Sequence, residues 1–402
     1  MHTRPIWAEI SRSRLLANLQ SLRALAAPHA EILSVVKADA YGHSVSLCAP
    51  WLVQAGVQWL GVTSVEEGIA VRARCPQANI LVLCCPWPGD EAAIVQHRLT
   101  PALWTPEHID LLAHSAAAAA LPPASIPIHV ELDTGMSRQG VLPQDLPALI
   151  GRLRQAPVLS LQGVFTHFAS PELLDSPQNE QQLARFAHCL QTLRAAGLAP
   201  QWIHAGNSST LLAGDRLPSL AALAASCDAR LLVRPGLALY GYALDFSSAT
   251  GIAARVQQRW HQADLQPVLH WKTRIAGLRN IQAGDAIGYG ATCTAQQPMR
   301  LALLPVGYAD GLSRRLSNQG NVLVRGQLAP VAGRVSMDLT VIDVTRIPDA
   351  ALNDEVVLIG AQPAAGSAAV AVTAHDHARW AATIPYEILC SINVRVPRVA
   401  AP

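Results

Sequence analysis

The chain has 402 residues, of which half are hydrophobic and only 14% are charged, and its formal net charge is +2. This length and composition allow a sizeable buried core and exclude a disordered chain. So small a net charge gives no electrostatic basis for binding nucleic acid or a membrane surface. No stretch reaches the roughly 18 uninterrupted apolar residues of a membrane helix.

The N-terminal sequence MHTRPIWAEISRSRLL has neither the apolar segment nor the small-residue cleavage site of a secretory signal, and we expect a cytoplasmic protein. The cysteines are scattered, and only Cys84 and Cys85 are adjacent. Because no pair has CxxC spacing, reduced and mostly buried thiols are a better interpretation than a disulfide framework or a zinc site. No metal site is predicted.

Short β-type segments alternate with helical patterns over the first 240 residues. The predicted strands are EILSVV (31–36), VQWLGVT, NILVLCCP, LTPALW, IPIHVELD, LQGVFTHF, WIHAGN and LLVRPGLALYG. The predicted helices are SVEEGIAVRAR, DEAAIVQHR and segments near 43–56, 106–120, 144–155, 179–197 and 218–226. About eight strand–helix repeats in this length favour the α/β class, and within it a (β/α)8 TIM-like barrel over an open sheet.

Beyond about residue 245 the pattern changes to short strands separated by Gly, Asp, Asn and Pro, which predicts an all-β domain. The segments FSSATGIAAR and HQADLQP look like connectors in front of it. A helix-like HDHARWAATI and a strand-like EILCSINVRVPR close the chain. We therefore expect a barrel domain at 11–243 and a β-domain at 244–402, and we leave open whether residues 1–10 join the second domain.

The chain contains only two lysines, Lys37 and Lys272, against twenty-eight arginines. Lys37 ends the apolar stretch ILSVV. A lysine amine can lose its proton and condense with an aldehyde, whereas a guanidinium stays charged. A lysine kept in so arginine-rich a sequence therefore suggests chemistry that arginine cannot perform, although a surface lysine spared by chance is the simpler interpretation when the residue is taken alone.

Further candidates follow other predicted strands, where the active sites of such barrels gather. They are Tyr41, His167, His204, the Gly-Asn-Ser-Ser segment 206–209, and the Arg-Pro-Gly segment 234–236. Taken singly, each also fits a structural role, such as a core histidine, a helix N-cap or a turn. Their joint placement favours a cofactor that carries a phosphate, which backbone N–H groups and hydroxyls bind well.

The motif VVKADAYGH resembles the lysine motif of the alanine racemase family. The similarity continues in order through LDTGMSRQG, GVFTHFA, HAGNSS, VRPGLALYG, IGYGATCTA, PVGYADGLSRRL, GRVSMDLT, IPYEILC and RVPR, and so covers nearly the whole chain. The resemblance implies a pyridoxal 5'-phosphate barrel with a C-terminal β-domain, and a homodimer whose active sites are shared. It also implies an isomerase that interconverts L-alanine and D-alanine by two-base proton transfer on a pyridoxal-phosphate aldimine.

The resemblance also implies roles for single residues. Lys37 is similar to the lysine that binds the cofactor and acts as one base, and Tyr289 to the opposing base from the partner subunit. His167 resembles the residue that links this tyrosine to the arginine matching Arg234, which faces the pyridine nitrogen. The expected cofactor-binding residues are Lys37, Tyr41, His167, Asn207, Ser208, Arg234, Gly236 and Tyr386. The expected substrate and entryway residues are Arg138, Met337 and Tyr308, with Arg314, Arg334 and Ile384 further out.

Two features depart from the family pattern. Glu131 stands where many relatives have a carbamylated lysine that orients the arginine matching Arg138, and we hypothesise that Glu131 pairs directly with Arg138. Asp39 and Ser44 replace the usual Asn and Gly, and neither change removes a catalytic group.

Other functions remain possible at this point. A broad-specificity racemase of the same fold would also accept serine, because an apolar pocket rejects one added hydroxyl poorly. A non-catalytic pyridoxal-phosphate carrier would lack the C-terminal domain with Tyr289. A barrel-type decarboxylase would show a glycine-triplet phosphate loop and a C-terminal Cys-Glu or Cys-Asp motif, which this sequence lacks.

Overall fold

The computed structural model describes residues 4–248, 252–364 and 367–402. They form two compact units: one of Arg14–Ala40 and Cys48–Gln266, the other of the N-terminal residues up to Ser13, Tyr41–Leu47 and Pro267–Pro402. Within the described residues, no helix is both long and apolar enough to cross a membrane.

The first unit is built on a closed barrel of eight parallel strands, which confirms the predicted fold class. The strands are Glu31–Val35, Trp59–Val62, Asn79–Val82, Thr100–Leu103, Ile126–Glu131, Leu159–Phe165, Trp202–Asn207 and Arg230–Arg234. Every residue of Trp59–Val62 and Thr100–Leu103 is buried. Such uninterrupted burial is typical of parallel strands that are covered on both faces.

Helices connect the barrel strands. They are Arg12–Ala26, Val45–Gln54, Val65–Arg74, Glu91–Gln96, Pro106–Ala118, Leu146–Arg154, Pro177–Ala195, Ser208–Ala213, Leu217–Ala225 and Ile252–Gln262, with single turns at Lys37–Tyr41 and Leu237–Tyr240. Several begin with a capping side chain. Ser64 and Thr105 each accept a hydrogen bond from the backbone N–H three residues later, which satisfies a donor that the helix itself leaves unpaired.

The second unit consists mainly of β-strands. A seven-stranded sheet contains Ile6–Ser11, Leu269–Arg274, Asn321–Val324, Gln327–Pro330, Glu355–Ala364, Ser367–Val372 and Arg398–Ala401. Smaller sheets contain Gly277–Ile281, Met299–Leu304 and Thr340–Asp343, and the pair Ala286–Ile287 and Cys293–Thr294. The N-terminal strand pairs with Leu269–Arg274 on one side and with Arg398–Ala401 on the other.

The second unit also contains two short helices, Ala374–Ala381 and Pro385–Ser391, and single turns at Tyr289–Ala291, Tyr308–Asp310 and Arg314–Leu316. The strand prediction for EILCSINVRVPR is therefore wrong over its first part. Pro385 stands at the first helical position, where its fixed φ suits a helix and its missing N–H costs nothing. Ile388 and Leu389 are then buried on one face of the helix.

The connector prediction for FSSATGIAAR is also wrong in part, because a helix begins at Ile252. Residues 249–251 of that segment lie outside the described residues. The helix is rich in Ala, Arg and Gln, which have high helix propensity, and its apolar residues Ala253, Val256 and Trp260 recur at the spacing of one helix face. Val256 packs with Leu174 and Ala213 in a small cluster within the barrel unit.

Candidate functional site

Six predicted site residues lie at the ends of four neighbouring barrel strands. They are Lys37, His167, Asn207, Ser208, Arg234 and Gly236. The four strands follow one another around the barrel, and parallel strands place their carboxyl ends on the same rim. The fold therefore brings to one rim residues that the sequence separates by up to two hundred positions.

Lys37 begins a single turn of unusual backbone conformation. Ala38, Asp39, Ala40 and Tyr41 have φ angles of 52°, 52°, 57° and 54°. This left-handed region costs a residue with a side chain about 1–2 kcal/mol, and four such residues in succession are rare. The backbone N–H of Ala40 donates to the carbonyl of Val36 at 2.9 Å. Strain of this kind is characteristic of functional sites, where the surrounding structure must maintain it.

Gly42, which belongs to the second unit, directly follows the four left-handed residues. A Cβ atom there would lie 2.2 Å from the carbonyl oxygen of Leu389, and the φ angle is +79°. Both the space and the backbone conformation require glycine at this position. Ser44 has φ +69°, so the serine found where relatives have glycine carries a conformational cost.

Arg234 is the buried centre of the rim. Its Nη1 donates to Nδ1 of His204 at 2.9 Å, and its Nη2 donates to the carbonyl of Thr166 at 2.9 Å and to Nδ1 of His167 at 3.1 Å. Burial lowers the pKa of Arg234 to about 10, which leaves the guanidinium charged at neutral pH. Because a guanidinium can only donate, Nδ1 of both histidines must accept, and each neutral imidazole carries its proton on Nε2.

Both histidines are neutral at physiological pH. Burial, and then the positive charges of Arg234, Arg138 and Lys37, lower the pKa of His167 to about 3. The pKa of His204 lies well below its usual value because of burial and then Arg234.

His204 extends the cluster into the barrel core. Its Nε2 donates to Nδ1 of His129 at 2.8 Å, and its ring stacks on Phe165 with centroids 4.5 Å apart. The strand pattern of the sequence placed His204 on the rim but gave it no role, and it did not identify His129. His129 and His204 each lie within an otherwise apolar strand sequence, and a buried histidine needs a hydrogen-bond partner. This pattern could have predicted that the two side chains take part in a buried polar cluster.

Glu131 does not pair with Arg138, which corrects the hypothesis of a direct ion pair. Its carboxylate accepts a hydrogen bond from Nε2 of Gln139, which also donates to the carbonyl of Leu83 at 3.0 Å. Burial raises the pKa of Glu131 to about 7. A glutamate reaches less far than a carbamylated lysine, and the Gln139 amide lies within its reach. Arg138 is exposed, and among the described residues none accepts a hydrogen bond from its guanidinium.

Asp133 holds the loop that carries Arg138. Its Oδ1 accepts hydrogen bonds from the backbone N–H groups of Gly135, Met136 and Ser137 at 2.9, 3.0 and 3.1 Å. Three such bonds fix the loop backbone and leave the arginine side chain available for an anionic ligand.

Ser208 and Asn207 form the start of the helix Ser208–Ala213. Oδ1 of Asn207 accepts from the backbone N–H of Thr210 at 3.1 Å, so this side chain is an N-cap. Oγ of Ser208 accepts from the N–H groups of Gly236 and Ala238 at 3.0 and 3.2 Å. Since both contacts use its lone pairs, the hydroxyl proton remains to be donated to an anion.

The predicted residues of the second unit are mostly exposed in the single chain. Tyr289 is 72% exposed, Met337 54%, Ile384 51% and Tyr308 42%. Tyr289 lies between two glycines that both have φ +70°, and these allow the backbone to project its ring outward.

Aromatic and cationic side chains lie near these exposed residues within the second unit. Tyr41 and Tyr386 are in contact, with ring centroids 5.9 Å apart. A cavity of about 380 Å³ is lined by Tyr308, Arg314, Arg315 and Glu387 among others. A second cavity of about 300 Å³ is lined by Arg314, Arg315 and Arg334 among others. These three arginines give this part of the surface a positive charge.

The chain matches the family models "Alanine racemase, N-terminal domain" over residues 10–244 and "Alanine racemase, C-terminal domain" over residues 268–400.

The chain belongs to the alanine racemase family.

Curated relatives agree with the family models. The chain is 38% identical to an alanine racemase of Halothermothrix orenii over 98% of this chain and 97% of the relative. It is 39% identical to an alanine racemase of Syntrophobacter fumaroxidans over 96% and 95% of the two chains.

Among solved structures, alanine racemase from Streptomyces lavendulae has a TM-score of 0.86, 31% identity and coverage of 100% and 98%. Alanine racemase from Bartonella henselae, solved with covalently bound pyridoxal phosphate, has a TM-score of 0.81, 28% identity and coverage of 99% for both chains. These comparisons confirm the family predicted from the sequence motifs.

Proposed function

We propose that this chain is an alanine racemase that interconverts L-alanine and D-alanine with pyridoxal 5'-phosphate bound at Lys37. Family membership over almost the whole chain supports the activity. The observation that carries the proposal is the placement of Lys37, His167 and Arg234 on one rim of the barrel, with Arg234 hydrogen-bonded to a neutral His167.

The residues of the rim fit a phosphorylated aldehyde. A primary amine is present to condense with the aldehyde, and the surrounding positive charge suits a dianionic phosphate. Ser208 has a hydroxyl proton to donate, and its backbone partners hold it in place. The family resemblance adds Tyr41, Gly236 and Tyr386 to the phosphate contacts, and Asn207 to the cofactor-binding residues. When bound, the cofactor supplies a conjugated ring that disperses negative charge at the substrate Cα.

Inversion at Cα requires two proton-transferring groups, because one proton leaves one face of the carbon and another returns to the opposite face. We assign Lys37 to one face and Tyr289 to the other. Tyr289 is largely exposed in the single chain, so we propose that a second copy of the chain receives it in a homodimer with shared sites.

His167 is suited to assist a phenolic base. A phenol acts as a base only as its anion, so a hydrogen-bond donor that stabilises this anion would assist Tyr289. Because Arg234 donates to Nδ1 of His167, the proton of this imidazole is on Nε2 and can be donated to an incoming tyrosine oxygen.

Arg234 and Arg138 have separate roles in this proposal. The family resemblance assigns Arg234 to the ring nitrogen of the cofactor, where its permanent charge would disfavour protonation of that nitrogen and would limit side reactions that need a stronger electron sink. Arg138 binds the substrate carboxylate, for which its guanidinium is free among the described residues. The family resemblance assigns Met337, contributed by the second copy of the chain, to the lining of the substrate carboxylate site, and Tyr308 to the entryway. A site lined in this way would favour a short side chain.

A racemisation assay on a panel of free L-amino acids, with pyridoxal phosphate added, tests the proposal. We expect L-alanine to be converted to an equal mixture of enantiomers, with serine much slower and longer side chains inactive. The same equilibrium should be reached from D-alanine. Comparable rates for several amino acids would instead indicate a broad-specificity racemase, and no conversion of any of them would contradict the proposal.

A further inference from the structure

Glu67 contacts the strained turn that begins at Lys37. Its Oε1 accepts a hydrogen bond from the backbone N–H of Ala38 at 2.7 Å, and its Oε2 accepts from the N–H of Thr63 at 2.8 Å. Ala38 is the first of the four left-handed residues. One carboxylate therefore links the Lys37–Ala38 peptide to Thr63, the residue that follows the neighbouring barrel strand Trp59–Val62.

Helix capping does not explain these contacts. Ser64 is the N-cap of the helix Val65–Arg74, and its Oγ accepts from the N–H of Glu67 at 3.3 Å. A glutamate at this third helical position would ordinarily bond back to the N–H of the N-cap residue itself. Here both carboxylate oxygens bind donors outside the helix, and one of those donors belongs to the lysine turn.

We propose that Glu67 is a positioning residue for the Lys37 amine, a proposal that rests on the function assigned above. The charge-assisted hydrogen bond from the Ala38 N–H fixes the peptide plane between Lys37 and Ala38 in a conformation that the backbone alone does not favour, and the bond from the Thr63 N–H holds the carboxylate in place. Without the carboxylate the turn relaxes, and the amine loses its fixed place relative to the substrate. Because placement of a reacting group contributes strongly to rate, the effect should fall on the proton-transfer step.

The chain offers a matched control in Glu66, the preceding residue of the same helical turn. Glu66→Gln and Glu67→Gln remove the same charge from the same helix N-terminus, so both lose the same interaction with the helix dipole. Glu66 is fully exposed, its side chain interacts with Ser64, and among the described residues it makes no hydrogen bond to the lysine turn. Only Glu67→Gln replaces one acceptor oxygen with an amide nitrogen that opposes a backbone N–H donor.

The first measurement is steady-state kinetics of the holoenzyme with L-alanine. We expect Glu67→Gln to lower kcat by about tenfold or more, which is the scale of a lost hydrogen bond to a charged group, and to leave KM within about twofold. Glu66→Gln should match the wild type. Equal kcat values for the two variants would overturn the proposal while leaving the racemase function intact.

The second measurement is amide hydrogen exchange by mass spectrometry on the purified proteins. In Glu67→Gln, we expect exchange in peptides covering 37–41 to accelerate by about tenfold, because the Ala38 amide then faces either an NH2 group or an uncharged oxygen that is a weaker acceptor than a carboxylate. Peptides covering Leu269–Arg274, which lie in the other unit, serve as an internal reference and should not change. Unchanged exchange at 37–41 would overturn the proposal even if activity fell, since a structural cause elsewhere would then be responsible.

Glu67→Asp is a second variant that tests the same contacts if Glu67→Gln does not fold. It keeps the charge, but a side chain shorter by one methylene cannot reach both donors. We expect an intermediate kcat with unchanged KM, and wild-type values would contradict the positioning role. If the wild-type protein racemises no amino acid, the proposed function fails, whereas the exchange experiment still reports whether Glu67 holds the turn.

Discussion

The two units present their candidate residues in opposite ways. In the barrel, Arg234 is buried and donates hydrogen bonds to His204, His167 and a backbone carbonyl. In the second unit, Tyr289 projects into solvent from a turn between two glycines. Folding of one chain thus completes the hydrogen bonds of Arg234, whereas it leaves the ring of Tyr289 accessible.

The contrast follows from the free-energy cost of leaving each group without a hydrogen-bond partner. A buried guanidinium must have its donors satisfied within the chain, because an unpaired buried charge is strongly destabilising. An exposed phenol costs little to leave in water. Substitutions in the barrel cluster should therefore affect both stability and activity, while substitutions at Tyr289 should affect activity alone.

The largest effect is expected for Lys37→Ala. Loss of the amine removes both the attachment point for the cofactor aldehyde and one of the two bases, so racemisation should fall below detection. The absorption band of the lysine-bound cofactor should disappear with it. Lys272→Arg is the matched control, because Lys272 pairs with Glu9 and Glu355 and an arginine retains those ion pairs. Full residual activity in Lys37→Ala would defeat the assignment.

Tyr289→Phe should lower racemisation by about 10²- to 10⁴-fold, the usual contribution of a general acid–base group. The free energy of unfolding should change by less than about 0.5 kcal/mol, because the residue is exposed. Exchange of the α-hydrogen with deuterated solvent should fall much more for L-alanine than for D-alanine. An equal loss with both enantiomers would argue against a base that serves one face.

A comparison of the wild type with Glu131→Gln should show that the buried carboxyl of Glu131 makes the stability of the barrel unit depend on pH. Because burial raises the pKa of Glu131 to about 7, the folded state keeps a proton that the unfolded state releases above about pH 4.5. Unfolding then releases a proton, so the stability of the wild type falls as the pH rises through this window and levels off above pH 7.

Between pH 4.5 and about 7, we expect the unfolding free energy of the wild type to fall by up to about 3 kcal/mol relative to that of Glu131→Gln. Chemical denaturation of both proteins at several pH values measures the difference, and other titrating groups cancel in the comparison. A difference that stays constant with pH would show that Glu131 has no raised pKa.

The smallest effect is expected for Ser208→Ala. The hydroxyl accepts two backbone hydrogen bonds and keeps one proton for an anion, so its removal should weaken pyridoxal phosphate binding by about tenfold. Equilibrium dialysis of the cofactor checks this, and affinity equal to the wild type would remove Ser208 from the phosphate site.

Much of the fold could be predicted from the sequence, because parallel barrel strands are continuous apolar segments between helical patterns. The helix Ile252–Gln262 was missed because its residues are polar and resemble a connector. The helix Pro385–Ser391 was missed because its apolar residues were taken for a strand. In both cases the local pattern was compatible with more than one structure, and tertiary packing decided between them.

The placement of Lys37 and Arg234 on the barrel rim could be predicted, because each lies at the end of an apolar segment that is typical of a barrel strand. The site could not be predicted where the outcome depends on side-chain reach. Glu131 bonds to Gln139 rather than Arg138, and Glu67 contacts a segment 29 residues away from it in the sequence. A Glu-Glu pair in the first turn of a helix is normally a solvated polar face, so nothing in the sequence distinguished Glu67 from Glu66.

A mixing experiment tests most directly whether Lys37 and Tyr289 of different chains form one site. Lys37→Ala and Tyr289→Phe, each nearly inactive alone, are incubated together until their subunits exchange. Mixed dimers then contain one site with both wild-type residues, and activity should rise to about a quarter of the wild-type value for random pairing. Activity that stays at the level of the separate variants, despite demonstrated subunit exchange, would contradict the shared site.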